Sequence, residues 1–508
     1  MISLSFSRAP SSILTLSAIV ALCVSSLFFW TPAVSSSHPP SGFAKRFANQ
    51  TAVDACKSIQ FTSKDSTIQY DLASAFSSYF GYYMTSSSNT PACLVKPTTA
   101  DDLSAVMKVI GQKRINFAIS SGGHTGNPGF SSTKGIQITM KGFQGVKLSS
   151  DKSYVDVGSG NIWDNVYAVL EGSGRNIVGG RVTGVGVGGF VTGGGGFSWL
   201  TNQYGLTVDT VQQFDMVLPD GTQKSVTASS DPDLFWALKG GGNRFGVVYN
   251  FRLSTVPQSA QVWGGLKTYT EDQIPAIVNA TAEFSKENKD PKAQVIPTYN
   301  FVLGAPGISL LAFYDGPSPP AGTFDMFDRA KSFTADWKAR SFGDLVRSSP
   351  SNATGGHRGA FHTVSFTDYS VDLLNAIVDE VKFYGQQSFT RSGFFISYDV
   401  EPFLKYPAKD AAWKHTNSPL PLNIYYVWDN PQDDNYWRKE IVASANRLTE
   451  KAKTEGQQLD GLLLYPNYAI DTTPIDRIFD SASLQRLKSI RSKVDPNNVM
   501  GLTTSFKF

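Results

Sequence analysis

Cysteine is scarce in this chain. There are three in 508 residues, and Cys23 falls inside an apolar N-terminal stretch, which leaves Cys56 and Cys93 in the body. Histidine is nearly as rare, with five residues, and no metal site is expected. Charge is thin as well: 17% of residues are charged, the net charge is +3 and the pI is near 8.5. That balance is too mild for a nucleic-acid partner, and no basic stripe is present. Internal repeats and low-complexity linkers are absent too. What remains is a hydrophobic fraction of 41% in a chain long enough for about three domain-sized units. A globular protein with a sizeable core is expected.

Residues 1–36 stand apart from the rest. Arg8 supplies a positive start, Ile13 to Trp30 form an apolar segment interrupted only by Ser and Thr, and Ala33-Val34-Ser35 offers small residues for cleavage. This is the pattern of a secretory signal peptide. The apolar segment also reaches the lower limit of a membrane span, so an uncleaved anchor is the alternative. Either way the body is translocated, and the expected location is secreted or in the secretory-pathway lumen. An oxidising compartment would join Cys56 to Cys93. Asn49, Asn279 and Asn352 begin acceptor sequons and suggest a glycoprotein with these positions at the surface. Asn89 and Asn417 are followed by Thr-Pro and Ser-Pro and are not expected to be modified.

Glycine, in contrast, is plentiful, and it is concentrated in two stretches. Asn116 to Asn127 reads NFAISSGGHTGN. Phe117 to Ile119 has the pattern of a buried strand. Gly122 and Gly123 break it, and a glycine–glycine turn exposes successive N–H groups that bind anions such as phosphate. His124 follows directly. The second stretch, residues 178–196, contains a formal GxGxxG at Gly184, Gly186 and Gly189, with Asp209 twenty residues beyond. That spacing imitates a Rossmann fingerprint. Gly193 to Gly196 follow at once, and each glycine weakens a helix by roughly 1 kcal/mol relative to alanine. The expectation is therefore an extended glycine path rather than the helix that a Rossmann unit requires.

These two stretches, together with DPDLFWALKGGGNRFGVV at 231–248 and LYPNYA at 464–469, resemble the berberine-bridge-enzyme-like branch of the vanillyl-alcohol-oxidase flavoproteins. The resemblance runs from about Cys56 to the C-terminus. It implies an α+β fold: a two-part PCMH-type FAD-binding domain (37–257 and 461–508) with an inserted α+β substrate domain (258–460) whose sheet covers the flavin. It also implies an N-terminal disulfide, here Cys56–Cys93, and FAD bonded covalently through His124. Further cofactor contacts are implied at Ser121, Gly122, Gly123, Thr125, Gly126, Gly184, Gly186, Gly189, Gly194, Val248 and Asn467. Many members carry a second covalent link from a cysteine. Val182 stands at that position, so attachment through His124 alone is expected. Val185 occupies the position that controls oxygen access, where a small β-branched side chain accompanies oxidase behaviour.

The rest of the chain is consistent with such a fold. Thr99-x-x-Asp102 caps a helix over 99–113, Tyr154 to Val157 alternates as a strand, and Trp163 to Glu171 reads as a short helix. Asp215 to Leu218 and Gln223 to Val226 are strands joined by a Pro219-Asp220-Gly221 turn, followed by a helix at Leu234 to Leu238. Beyond Pro257 glycine thins. Helices are expected at 372–384 and 436–454, with strands at 296–303, 309–314, 393–398 and 423–428.

For catalysis the resemblance implies that Tyr468, the second tyrosine of Tyr465-x-Asn467-Tyr468, lies on the substrate side of the flavin. A free tyrosine titrates near pH 10, so a base at this position needs a nearby positive charge or strong donors. Tyr465 and Asp399 are the other candidates. The expected activity is that of a secreted oxidase passing a hydride from a small organic substrate, a secondary metabolite, to FAD and then to O2 with release of H2O2. A carbohydrate oxidase and a non-redox cyclisation or isomerisation in the same cavity are the alternatives.

Overall fold

The computed structural model describes residues 50–70, 81–302 and 304–508. The N-terminal signal or anchor segment, Asn49 and Leu303 lie outside the described residues. Among the described residues, no helix is long and apolar enough to cross a membrane.

Among the described residues, three large sheets build the body, with a fourth of only two strands. The first contains Thr67–Gln69, Cys93–Lys96, Ile136–Thr139 and Phe117–Ser120, in that spatial order. Its last three strands are parallel, and the helix Ala100–Lys113 makes the crossover. Thr99 Oγ1 caps that helix by accepting from Asp102 N at 3.1 Å, and Leu103, Val106, Met107 and Ile110 are its buried stripe. The strand Phe117–Ser120 delivers the glycine turn and His124 at its C-terminal end, a position where parallel sheets present ligand-binding loops.

The second sheet is antiparallel: Val146–Leu148, Tyr154–Gly158, Val247–Ser254, Val211–Val217 and Gln223–Thr227. The expected hairpin turn is present, with Gly221 at φ 89° and its N–H donating to Leu218 O at 2.9 Å. Val256–Pro257 still pairs with Arg175–Asn176, and the third sheet begins at Val262.

That third sheet has eight strands, all drawn from residues 262–428. Val262–Thr270, Ala305–Tyr314, Ala293–Val302, Gly393–Val400, Leu420–Trp428 and Arg358–Phe366 lie side by side, and the short strands Thr334–Ala335 and Lys338–Arg340 border the first of these. Strand alternation divides its two faces. Tyr299, Ile396, Tyr398, Ile424 and Tyr426 are buried on the face that packs against the helices Val371–Ser388 and Asp434–Thr454. The other face carries a polar row of cross-strand neighbours: Ser309, Thr298, Asp399, Asn423 and Thr363.

One expectation is corrected here. The glycine path is not extended throughout, because Val187–Thr192 is a short helix opening directly after Gly186. It ends before the run Gly193–Gly196, whose last three members have positive φ. The four glycines therefore terminate the helix instead of preventing it. Ser121 Oγ, brought from the other stretch, accepts from Gly188 N at 3.1 Å and satisfies one of the free donors in its first turn.

Cys56, on the helix Gln50–Thr62, and Cys93, at the start of its strand, form a disulfide. The bridge closes a loop with a sequence separation of 37. In the chain-entropy account it stabilises by about 3–4 kcal/mol. Urea titration of a Cys56→Ser/Cys93→Ser double variant is expected to show a loss of that size. An unchanged midpoint would contradict a stabilising role.

Candidate active site

The two glycine stretches meet backbone to backbone. A Cβ placed on Gly122 would stand 2.6 Å from Gly186 Cα, and one on Gly186 would stand 2.3 Å from Gly122 N. Only glycine permits this approach. Ser121 Oγ locks the junction by donating to Ser159 O at 2.6 Å. Gly123 has φ 68°, and any side chain there would crowd the ring of Tyr82. Gly126 lies under Met84 and Ala360, while Thr125 Oγ1 accepts from Asn127 N at 3.1 Å. Gly184 also has positive φ. Gly189 faces open space on the outside of the short helix.

His124 emerges from this junction half-buried. Its Nε2 is buried with no hydrogen-bond partner, and burial pushes the imidazole down to about 4. The ring is therefore neutral at neutral pH, with an unengaged nitrogen. Tyr83 stacks on it at 4.0 Å, and Phe361 from the large sheet lies 6.2 Å away with its ring nearly parallel. An unsatisfied buried nitrogen beside a glycine-lined cradle is a site waiting for a ligand atom. The residues present fit FAD.

The C-terminal motif is tied to the same turn. Asn127 Nδ2 donates to Ala469 O at 2.9 Å, and Asn127 Oδ1 accepts from Asp471 N at 2.9 Å. Asn467 Nδ2 donates to Phe190 O and to Tyr465 Oη, each at 3.0 Å. Its side chain lies directly over Gly193, where a Cβ would come within 2.1 Å of Asn467 Oδ1. Gly194 is packed against Tyr465 and Pro466.

Tyr468 then projects into a buried triangle. Arg181 Nη2 donates to Tyr468 Oη at 2.7 Å, and Tyr468 Oη donates to Glu401 Oε1 at 2.9 Å. Arg181 Nη1 closes the triangle on Glu401 Oε2 at 2.8 Å. Both charged side chains are buried, Arg181 at 8% and Glu401 at 2% exposure. Burial raises Glu401 above the ordinary carboxylate range, while Arg181 opposes the shift. Burial likewise pushes the Tyr468 phenol well above its usual value. The positive charge beside Tyr468 is Arg181, one residue before Val182, and burial outweighs it.

Asp399 belongs to the same electrostatic neighbourhood but not to the triangle. It accepts from Ser397 Oγ at 2.7 Å and Asn423 Nδ2 at 2.9 Å, and burial raises its carboxyl. Tyr465 is buried edge-on to Tyr468 at 4.8 Å. Its phenol is raised by burial too. Val182 and Val185 are half-buried along the glycine path. Val185 O accepts from Trp163 N at 3.0 Å, and Val185 packs on the main core. Val248 lies deeper, buried in a central strand opposite Met216. Asp209 plays no Rossmann role: it caps a short helix and pairs with His415 at 3.0 Å.

Sequence reasoning missed Arg181, Glu401 and Tyr83. Arg181 is the one charge in residues 178–196, and a charge inside an apolar glycine run is a signal. Glu401 follows Asp399 by two residues, the strand period that puts both on one face.

Comparison with known proteins agrees with this architecture. Residues 91–227 match the family described as an FAD binding domain. An FAD-dependent monooxygenase, FUP4, of Fusarium proliferatum is 34% identical over 80% of this chain and 83% of its own length. An uncharacterized FAD-linked oxidoreductase of Arthroderma benhamiae is 34% identical over 57% of this chain and 59% of its own. Among solved structures, BBE-like 1 of Physcomitrella patens superposes with a TM-score of 0.72 at 17% identity, covering 90% of this chain and 99% of that one. The chain belongs to the FAD-linked oxidoreductases that carry this FAD binding domain, and its fold is that of the berberine-bridge-enzyme-like proteins. Its fold is of the PCMH type, and it is an FAD oxidoreductase.

Proposed function

We propose that this protein is a secreted oxidase that takes a hydride from a small organic substrate, a secondary metabolite, and delivers the electrons to O2 as H2O2. The observation that carries this reading is the Arg181–Tyr468–Glu401 triangle, a proton-accepting device set into the site. Bound along the Gly122–Gly186 junction, FAD supplies the two-electron acceptor. The chain's own residues do the rest. Tyr468 takes up the proton that leaves the substrate and passes its own to Glu401 Oε1, and Arg181 offsets the negative charge throughout. Asp399 and Asn423, on the polar face of the large sheet, orient the substrate. Val185, small and β-branched, leaves room for O2.

Peroxide formed in step with substrate loss, across a panel of phenolic, polyketide-like and sugar compounds, is the expected result. Isotopic oxygen recovered in the product would instead support a monooxygenase activity, the one in the name of the Fusarium proliferatum relative. Substrate conversion without any flavin reduction would support the non-redox reading.

The same proposal places a single covalent bond at His124, because its Nε2 is unengaged and Val182 offers no sulfur for a second link. Acid-precipitated protein is expected to stay yellow and to yield a flavin peptide containing His124 and no cysteine. Flavin released quantitatively into the supernatant would refute the bond.

A further inference from the structure

Tyr83 lies outside every motif of the cofactor-binding stretches, yet several fixed contacts converge on it. Its backbone N–H donates to Gly123 O at 3.0 Å, and its carbonyl accepts from Gly356 N at 2.9 Å. Its hydroxyl donates to Ser351 O at 2.6 Å and also lies 2.7 Å from Thr354 Oγ1. One end of the residue is thus anchored on the glycine turn and the other on the loop before the Arg358–Phe366 strand. The ring held between these anchors lies on His124 at 4.0 Å with an interplanar angle of 13°. Phe361 and Tyr425 back it at 6.4 and 6.2 Å. An imidazole would otherwise rotate freely between rotamers. Here its plane is fixed while Nε2 is left without a partner.

We propose that Tyr83 is the positioning residue for covalent flavin attachment: it holds the His124 ring in the plane from which its free nitrogen reaches the flavin 8α carbon. This inference rests on the covalent reading given above. In that step a nitrogen–carbon bond forms between His124 and the 8α carbon, one C–H bond of the flavin methyl breaks, and the imidazole N–H proton is lost. Two protons and two electrons leave in all, and O2 takes them up as H2O2. Neither Tyr83 nor Phe361 donates or accepts a proton in it. The contribution of Tyr83 is orientation, and misplacing a reacting atom by about 1 Å costs on the order of a hundredfold in rate.

The test separates attachment from binding. Full-length protein is purified as Tyr83→Phe, Tyr83→Leu and Tyr83→Ala, and two quantities are measured for each: total flavin per chain, and the share that stays with acid-precipitated protein. A time course follows after FAD is added to apoprotein produced in riboflavin-starved cells. Tyr83→Phe keeps the stacked ring and is expected to attach flavin at close to the parental rate. Tyr83→Leu fills the space without a flat ring. It is expected to keep total flavin within about twofold while attachment slows about 10- to 100-fold. Should Tyr83→Ala fail to fold, Tyr83→Leu decides. Parental attachment rates in Tyr83→Leu overturn the proposal. Proportionate loss of total and attached flavin in both Leu and Phe variants also overturns it, because that is the mark of a purely structural residue. If the parent itself releases all its flavin in acid, the covalent reading fails first, and this inference fails with it.

Discussion

Tyr468→Phe is expected to slow reduction of the bound flavin by substrate about a hundred- to ten-thousandfold, the usual cost of losing a positioned acid–base group. The ring and its edge-on contact with Tyr465 are kept, so folding and flavin content should change little. Only the hydroxyl goes, and with it one hydrogen bond to each of Arg181 and Glu401, worth about 1 kcal/mol of stability. The direct Arg181–Glu401 contact survives, so no buried charge is orphaned. Catalysis suffers far more than stability because Tyr468 is protonated at rest and aims its proton at Glu401. A proton arriving from substrate needs that hydroxyl as its conduit. Anaerobic rapid mixing isolates the reductive step from reoxidation. A Tyr468→Phe enzyme that reduces at nearly the parental rate would eliminate Tyr468, leaving Glu401, Asp399, Tyr465 or the substrate itself to accept the proton.

The parts of this site that were readable from sequence are those whose constraint is local. Gly122 and Gly123 are glycines because a turn and a backbone approach demand it, and the string GGH shows that before any fold is known. The Pro219-Asp220-Gly221 turn, the capped helix after Thr99 and the alternating strands of the large sheet are legible for the same reason. The short helix Val187–Thr192 was not, because propensity argued against it and a contact from Ser121 supports it. The helix Ile274–Glu287 was also passed over. No motif marks it, and its Pro275 sits in the first turn, where proline is tolerated. The partners of Tyr468 come from positions 287 and 67 residues away, and no pattern within one stretch encodes such a meeting. Tyr83 is harder still, since it earns its place through Gly123 on one side and Ser351 and Thr354 on the other.

Arg181→Met is expected to be the most destabilising single change in the site. It leaves Glu401, 2% exposed, without its cation, and breaking a buried pair from one side typically costs about 3–5 kcal/mol. The loss should depend on pH in a defined direction. Burial already raises the Glu401 carboxyl, and Arg181 is the chief influence holding it down, so removing Arg181 raises it further. A carboxyl whose folded pKa lies above the unfolded value of about 4.3 gains stability from its proton. That gain is complete below the unfolded value and is lost as pH rises through the folded one. The gap between Arg181→Met and the parent is therefore expected to widen from about pH 4 to about pH 8. Adding Glu401→Leu removes the orphaned charge, and the Arg181→Met/Glu401→Leu protein should recover most of the lost stability at pH 8 while remaining a poor catalyst. Denaturant midpoints at the two pH values decide it. A deficit that is flat with pH, or a double variant no more stable than Arg181→Met, would mean that the guanidinium supports the fold through its packing on Phe403, 5.5 Å away, and not through the carboxylate.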